Sequence, residues 1–270
     1  MELNSEIRKA AAQFLARWRM IWMLAKNDFK SRYAISQLGM FWAFFRPLVM
    51  AALYITVFSV IVRAAPVGSR VPYALWMMPG LIVWFAFSDS LSSGVNTLTE
   101  YSYLVKNFRF NVSILPCVKV VAAFIIHTFF IALILLIYLL WGLPIPLNML
   151  QLPYYYLATF CFSLVCTRIV ATVQPFFKDL SVAMEIILMV GIWSCPIMWD
   201  LSLIPAKFAI VFKLNPLYHL VSGYRECFMG GGWFWNHPIQ FAGFWAVTLL
   251  LDEGGRRLFH RLSDRFADRL

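Results

Sequence analysis

Apolar residues in this chain fall in long, nearly uninterrupted runs separated by short polar or basic stretches. Six runs stand out, at about 39–62, 73–97, 116–141, 152–174, 181–201 and 238–252. A helix needs about 20 residues to cross the hydrocarbon core of a bilayer, and the first five runs meet that length. The sixth is shorter. It stops at Leu251 and meets Asp252, Glu253, Gly254 and Gly255, where an acidic, glycine-rich turn is expected. Tilt, a local break or snorkelling arginines would let it cross. Backbone polar groups inside a bilayer must be satisfied within the segment. The pattern therefore predicts an all-α integral membrane protein with six transmembrane helices.

Residues 1–35 follow a different rhythm. Ile7, Ala11, Phe14, Trp18, Trp22, Ala25 and Phe29 recur at steps of three and four, with Arg8, Lys9, Arg19, Lys26 and Lys30 largely between them. An apolar stripe bearing Trp and Phe and flanked by Lys and Arg predicts an amphipathic interfacial helix in the headgroup plane. Packing on another subunit is the alternative, and the two are compatible. The basic start, apolar core and small-residue cleavage site of a signal peptide are not seen.

Residues 202–237 are apolar but broken by Pro205, Pro216 and the run Gly230–Gly232. The stretch is too short for two crossings and predicts short re-entrant helices before the last span.

Composition sharpens the picture. The chain is 61% hydrophobic and 13% charged, with a mean hydropathy of +0.73. A soluble domain is nearer half apolar and a quarter charged. An ordinary soluble enzyme, a disordered tail and a disulfide-built module are thereby excluded. The net charge of +10 would suggest nucleic acid in a soluble protein. Here no aromatic-plus-basic binding module accompanies it, so no nucleic-acid partner is expected, and topology and anionic membrane lipids explain it better.

Sixteen Lys and Arg lie in the N-terminal segment, the second and fourth connections and the C-terminus. Only Arg63, Arg70, Lys207, Lys213 and Arg225 lie on the opposite side. Both termini are therefore expected to be cytoplasmic.

Chemistry-bearing motifs are few. Cys117, Cys161, Cys166 and Cys195 lie in or beside apolar runs, Cys227 is expected in a loop, and no CxxC occurs. Neither a disulfide framework nor a metal site follows. His127, His219, His237 and His260 are scattered. Nothing matches GxxxxGK[ST], HExxH or GxSxG, so an ATP-driven activity would need its ATPase on another chain. Charges inside the runs are the exceptions. Arg168 and Glu185 flank the turn 176–180, where an ion pair would lock a hairpin. Alternatively, Arg168 snorkels and Glu185 faces a cavity. Arg46 and Asp89 lie at similar depth and are a second candidate pair. Asp89 and Glu185 could also serve as acid and base in a membrane enzyme acting on lipid-linked sugars, although no nucleophile accompanies them.

Several blocks carry a specific resemblance: DFKSRYAISQLGMFWAFFRP (28–47), SYLVKNFRFNVSILP (102–116), FFKDL (176–180), CPIMW (195–199), LNPLYHLVSGYRECF (214–228) and DRFADRL (264–270). In order and spacing the chain resembles the ABC-2 type permeases of polysaccharide exporters, which include the wall teichoic acid and O-antigen exporters. Arg46, before Pro47, departs from the usually uncharged residue there.

The resemblance implies the transmembrane subunit of an ABC exporter in the bacterial cytoplasmic membrane. Two copies of the chain would pair with two copies of a separate ATPase, which binds ATP and Mg; no cofactor is expected in this chain. It implies an interfacial helix at 1–35 and a six-span domain at 36–255, followed by a cytoplasmic tail at 256–270. The domain would hold a coupling loop at 100–115 and the outer loop at 202–237. ATPase docking maps onto Tyr101, Tyr103, Leu104, Val105, Lys106, Phe108 and Arg109. The implied substrate is an undecaprenyl-pyrophosphate-linked polymer, with a drug or small lipid as the alternative. Flat aromatic faces suit weak passage of sugars. The candidate substrate path is Phe41, Trp42, Phe45, Arg46, Tyr54, Trp84, Phe87, Asp89 and Trp193, with an interfacial aromatic belt as the competing explanation. Arg46 would meet the pyrophosphate on entry.

Overall fold

A computed structural model describes residues 2–34, 36–61, 72–106 and 110–269. Arg63, Arg70, Phe108 and Arg109 lie outside them. Among the described residues there is no strand. In chain order the helices are α1 (Glu2–Tyr33), α2 (Phe41–Thr56), α3 (Tyr73–Gly94), α4 (Thr97–Glu100), α5 (Ser102–Val105) and α6 (Leu115–Leu140). They continue with α7 (Leu152–Val173), α8 (Leu180–Ser194), α9 (Ala206–Lys213), α10 (Pro216–Met229), α11 (Pro238–Leu262) and α12 (Phe266–Arg269).

Among the described residues, four stretches are long and apolar enough to cross a membrane: Phe41–Ile61, Tyr73–Gly94, Val112–Leu140 and Leu147–Val173. α8 is apolar but has only 15 residues, about 22 Å at ~1.5 Å per residue. α11 has 25 residues but carries charge in its second half.

α3 is apolar on nearly every face, and such a helix is stable only when surrounded. It is the centre of the bundle, buried from Leu75 to Leu91 along most of its length and packed against α2, α6, α7, α8 and α10. α2 is its opposite: only Ala43 and Ala51 are buried, Phe44, Leu48, Tyr54 and Ile55 are partly covered, and Phe41, Trp42, Phe45 and Leu53 are exposed.

The last long helix departs from the expected pattern. Asp252–Gly255 do not form a turn; α11 runs through them to Leu262. Gly255 is buried, and a Cβ there would lie 2.9 Å from Ile169 Cγ1. The glycine serves close approach of α11 to α7 rather than a chain reversal. Asp252 in turn finds a cation on α7, described below. What reads as a terminator in the sequence is a packing surface in the fold.

Between Pro205 and Met229 the chain forms the short helices α9 and α10. Asn215 caps α10 by accepting a hydrogen bond from Leu217 N, Pro216 fills its first position, and Gly230 closes it with φ +70°. Cys227 is therefore not in a loop; it is buried in α10. Polar side chains tie α10 to the bundle. Tyr224 Oη lies 2.7 Å from His127 Nε2, and Tyr138 donates to Phe228 O at 2.8 Å. Arg225 donates to Trp76 O and Ile197 O, at 3.2 and 2.6 Å, and stacks 3.6 Å from the Trp76 ring centre. A buried guanidinium is thus satisfied by carbonyls and a π face.

Candidate functional site

The C-terminal third of α1 turns its Ala25–Asp28–Phe29–Arg32 face onto α6. Ala25, Asp28 and Phe29 are buried, whereas Phe14, Trp18 and Trp22 stay exposed. Asp28 and Arg32 are an i, i+4 pair in the favourable order, with Arg32 Nε donating to Asp28 Oδ2 at 2.8 Å. From the start of α6, Lys119 sends its ammonium to within 2.6 Å of Asp28 Oδ1 and also to Glu100, at the end of α4. Tyr101 also donates to Asp28 Oδ1, at 2.9 Å. On the far side, Arg32 Nη1 lies 3.6 Å from Asp89 Oδ1 of α3. A chain of alternating charge, Glu100–Lys119–Asp28–Arg32–Asp89, thus links α4, α6, α1 and α3.

Burial explains why these charges need one another: Lys119 and Asp28 are 2% and 5% exposed, and either charge left unpaired there would be strongly disfavoured. Burial alone would raise the Asp28 pKa, but the charges and hydrogen bonds of Arg32 and Lys119 outweigh it and hold the carboxyl below its ordinary range. Burial works against the Arg32 cation too, and Asp89 and Asp28 reverse that effect. The Tyr101 hydroxyl is pushed up by burial and by the Asp28 charge.

The Asp89 end opens on a cavity of about 240 Å³ between α2, α3, α6 and the end of α1. Tyr33, Trp42, Arg46, Ser88, Asp89 and His127 supply its polar and aromatic lining, with Phe85 and Phe130 among the apolar walls. Three residues of the expected substrate path, Trp42, Arg46 and Asp89, therefore share one cavity. The expected Arg46–Asp89 pair does not form: the cation on Asp89 is Arg32, brought there by the packing of α1. Phe41 and Phe45 stack at 4.8 Å on the exposed face of α2 beside Trp42. Tyr54 is half-buried farther along α2, and Trp193 is exposed on α8. Trp84 and Phe87 do not line this cavity. Both are buried in α3, with Phe87 stacked 5.6 Å from Phe162.

The segment resembling an ATPase docking site is short and helical, and its side chains divide. Tyr103 and Lys106 are exposed. Leu104 and Val105 are not free to fill a partner's groove. They pack against a small core of Leu98, Leu115 and Phe266, so the C-terminal α12 clamps this segment from within the chain. Phe108 and Arg109 lie outside the described residues.

The expected Arg168–Glu185 pair is replaced. Arg168 Nη1 lies 2.5 Å from Asp252 Oδ1, while Glu185 is on the exposed face of α8. The cause is the unbroken α11, which carries Asp252 alongside α7. Asp89 and Glu185 do not form an acid–base pair either, since Asp89 belongs to the ion chain and Glu185 faces outward. Among the described residues no cluster of His, Cys, Asp or Glu could hold a metal.

Asp28, Glu100 and Lys119 were not singled out by the sequence pattern. Two signals could have found them. Lys119 lies inside an apolar run rather than before it, and Asp28 and Arg32 share the helical face of Ala25 and Phe29.

Comparison with known proteins agrees with this architecture. The chain is 24% identical over 250 residues to an O-antigen export system permease protein RfbA of Klebsiella pneumoniae, covering 91% of this chain and 93% of that protein. It is 26% identical over 252 residues to an O-antigen export system permease protein RfbA of Myxococcus xanthus, with the same coverage. The sequence profile described as ABC-2 type transporter matches residues 19–229, well over half the chain. With several apolar helices long enough to cross a bilayer, this multi-pass membrane protein belongs to the ABC-2 type transporter family.

Proposed function

We propose that this chain forms, as a homodimer, the transmembrane path of an ATP-driven exporter for an undecaprenyl-pyrophosphate-linked cell-surface polysaccharide. The observation that carries the reading is the end-to-end similarity to O-antigen export permeases, over nine-tenths of both chains. A wall teichoic acid is the other polymer of this chemistry. Two copies of a separate ABC ATPase, with bound ATP and Mg, supply the energy. They dock on the segment containing Tyr103 and Lys106, whose exposure supports that role. The protein resides in the bacterial cytoplasmic membrane with both termini cytoplasmic. α8 with the following residues, and the first half of α11, are the fifth and sixth crossings, and α9 and α10 dip into the outer leaflet. The mixed apolar and charged lining of the cavity at Trp42, Arg46 and Asp89 suits an amphiphile with an anionic headgroup.

Depletion in cells is the direct test. Lipid-linked polymer should accumulate inside while surface polymer falls, and purification should return the chain with an ATPase. Unchanged surface polymer without accumulation would reject the reading.

A further inference from the structure

The ion chain is unevenly built. At one end, Lys119 is almost fully buried and holds both Asp28 and Glu100. Moving α1 relative to α4 would strip this ammonium of a carboxylate in a wall that offers no water in exchange, a strongly disfavoured state. At the other end the Arg32–Asp89 contact is 3.6 Å long, and Asp89 keeps about a third of its side-chain surface exposed. That link is the longer and more exposed of the two, and opening it leaves Arg32 still held by Asp28. The chain is therefore tight beside the segment that carries the exposed Tyr103 and Lys106, and loose beside the cavity.

We propose that Lys119 is a positioning residue that makes α1 and the ATPase-docking segment one rigid body, so that relative motion is concentrated at the Arg32–Asp89 contact. The inference rests on the reading of this chain as the permease of an ATP-driven exporter. A displacement of the docking segment then carries α1 with it and is felt in the cavity as a change in the pairing of Asp89, without passing along the length of any spanning helix. Reorganisation at one bistable contact between rigid elements is the physical form that such coupling requires.

The test uses the purified complex with its ATPase and cells expressing the same variants. Cysteines for spin labels replace Lys30 and Thr99, both exposed, in a background with the five native cysteines substituted. In the native complex the label distance should agree to within about 2 Å between nucleotide-free and vanadate-trapped states. In Lys119→Met the distance should differ between the two states. Its ATPase rate should stay within about two-fold of native, while surface polymer falls about ten-fold. Lys119→Arg should restore both the constant distance and export. A merely structural role would lower the yield without separating hydrolysis from export. Should Lys119→Met fail to assemble, the half-exposed Glu100→Gln carries the same measurements and should show the same separation. Native labels that move by more than about 5 Å between states would overturn the proposal. So would normal export with a state-dependent distance in either variant. If deletion of the native gene leaves surface polymer unchanged, the exporter reading fails instead, and the distance arm still reports on the rigid body.

Discussion

Arg168 and Asp252 meet across the contact between α7 and α11, with Nη1 2.5 Å from Oδ1 and both side chains mostly buried. Arg256, one turn along α11, approaches the other oxygen at 3.0 Å from a more exposed position. The arrangement is asymmetric: Asp252 has two cations, while among the described residues it is the carboxylate that Arg168 reaches. Asp252→Asn should therefore destabilise more than Arg168→Leu, because it strands a buried guanidinium. The cost should be about 2 kcal/mol, read as a drop in the detergent unfolding midpoint. Glu185→Gln should leave that midpoint unchanged, and a comparable loss there would reinstate Glu185 as the partner.

Gly94 marks a second close approach. A Cβ there would lie 2.1 Å from Thr167 Cγ2. Gly94→Ala should cost about 1–3 kcal/mol by forcing α3 and α7 apart. Thr167→Ser removes the obstructing methyl and keeps the hydroxyl that bonds Ser90 O. Combined with Gly94→Ala it should recover part of the loss. Simple additivity of the two substitutions would argue against this contact.

Docking of the ATPase should separate Tyr103 from Leu104. Tyr103→Asp alters an exposed ring and should reduce co-purification of the ATPase while leaving thermal stability near native. Leu104→Asp introduces a carboxylate beside Phe266 and should lower stability itself, by about 1–3 kcal/mol. Equal effects of the two on stability would contradict the packing of Leu104 under the C-terminal helix.

The depressed Asp28 carboxyl gives a signed pH dependence. Because its folded pKa lies below the unfolded value of about 3.9, its contribution is complete above that value. It is lost only as pH falls through the lower folded pKa. Hydrogen exchange in α1 should therefore be flat, once corrected for intrinsic rates, from about pH 8 to pH 5, and should rise only below about pH 4. Asp28→Asn should abolish that acid step. A transition centred near neutral pH would assign the docking of α1 to another group.

Membrane character, a long N-terminal helix and the approximate helix order were determined by the sequence alone. Run length against bilayer thickness and the three-and-four spacing of Phe14, Trp18 and Trp22 are local properties of the chain. The family was legible too, because it is written in ordered blocks. The charged residues were not. Sequence depth alone paired Arg168 with Glu185 and Arg46 with Asp89, whereas the partners are Asp252 and Arg32. Pairing depends on helical phase and on which helices are neighbours, and neither is encoded within a single run. The same holds for Gly254 and Gly255. In isolation they read as a helix end, and only contact with Ile169 makes Gly255 a packing residue. Lys119 was equally hidden, since a buried ammonium becomes intelligible only once two other elements, α1 and α4, each bring it a carboxylate.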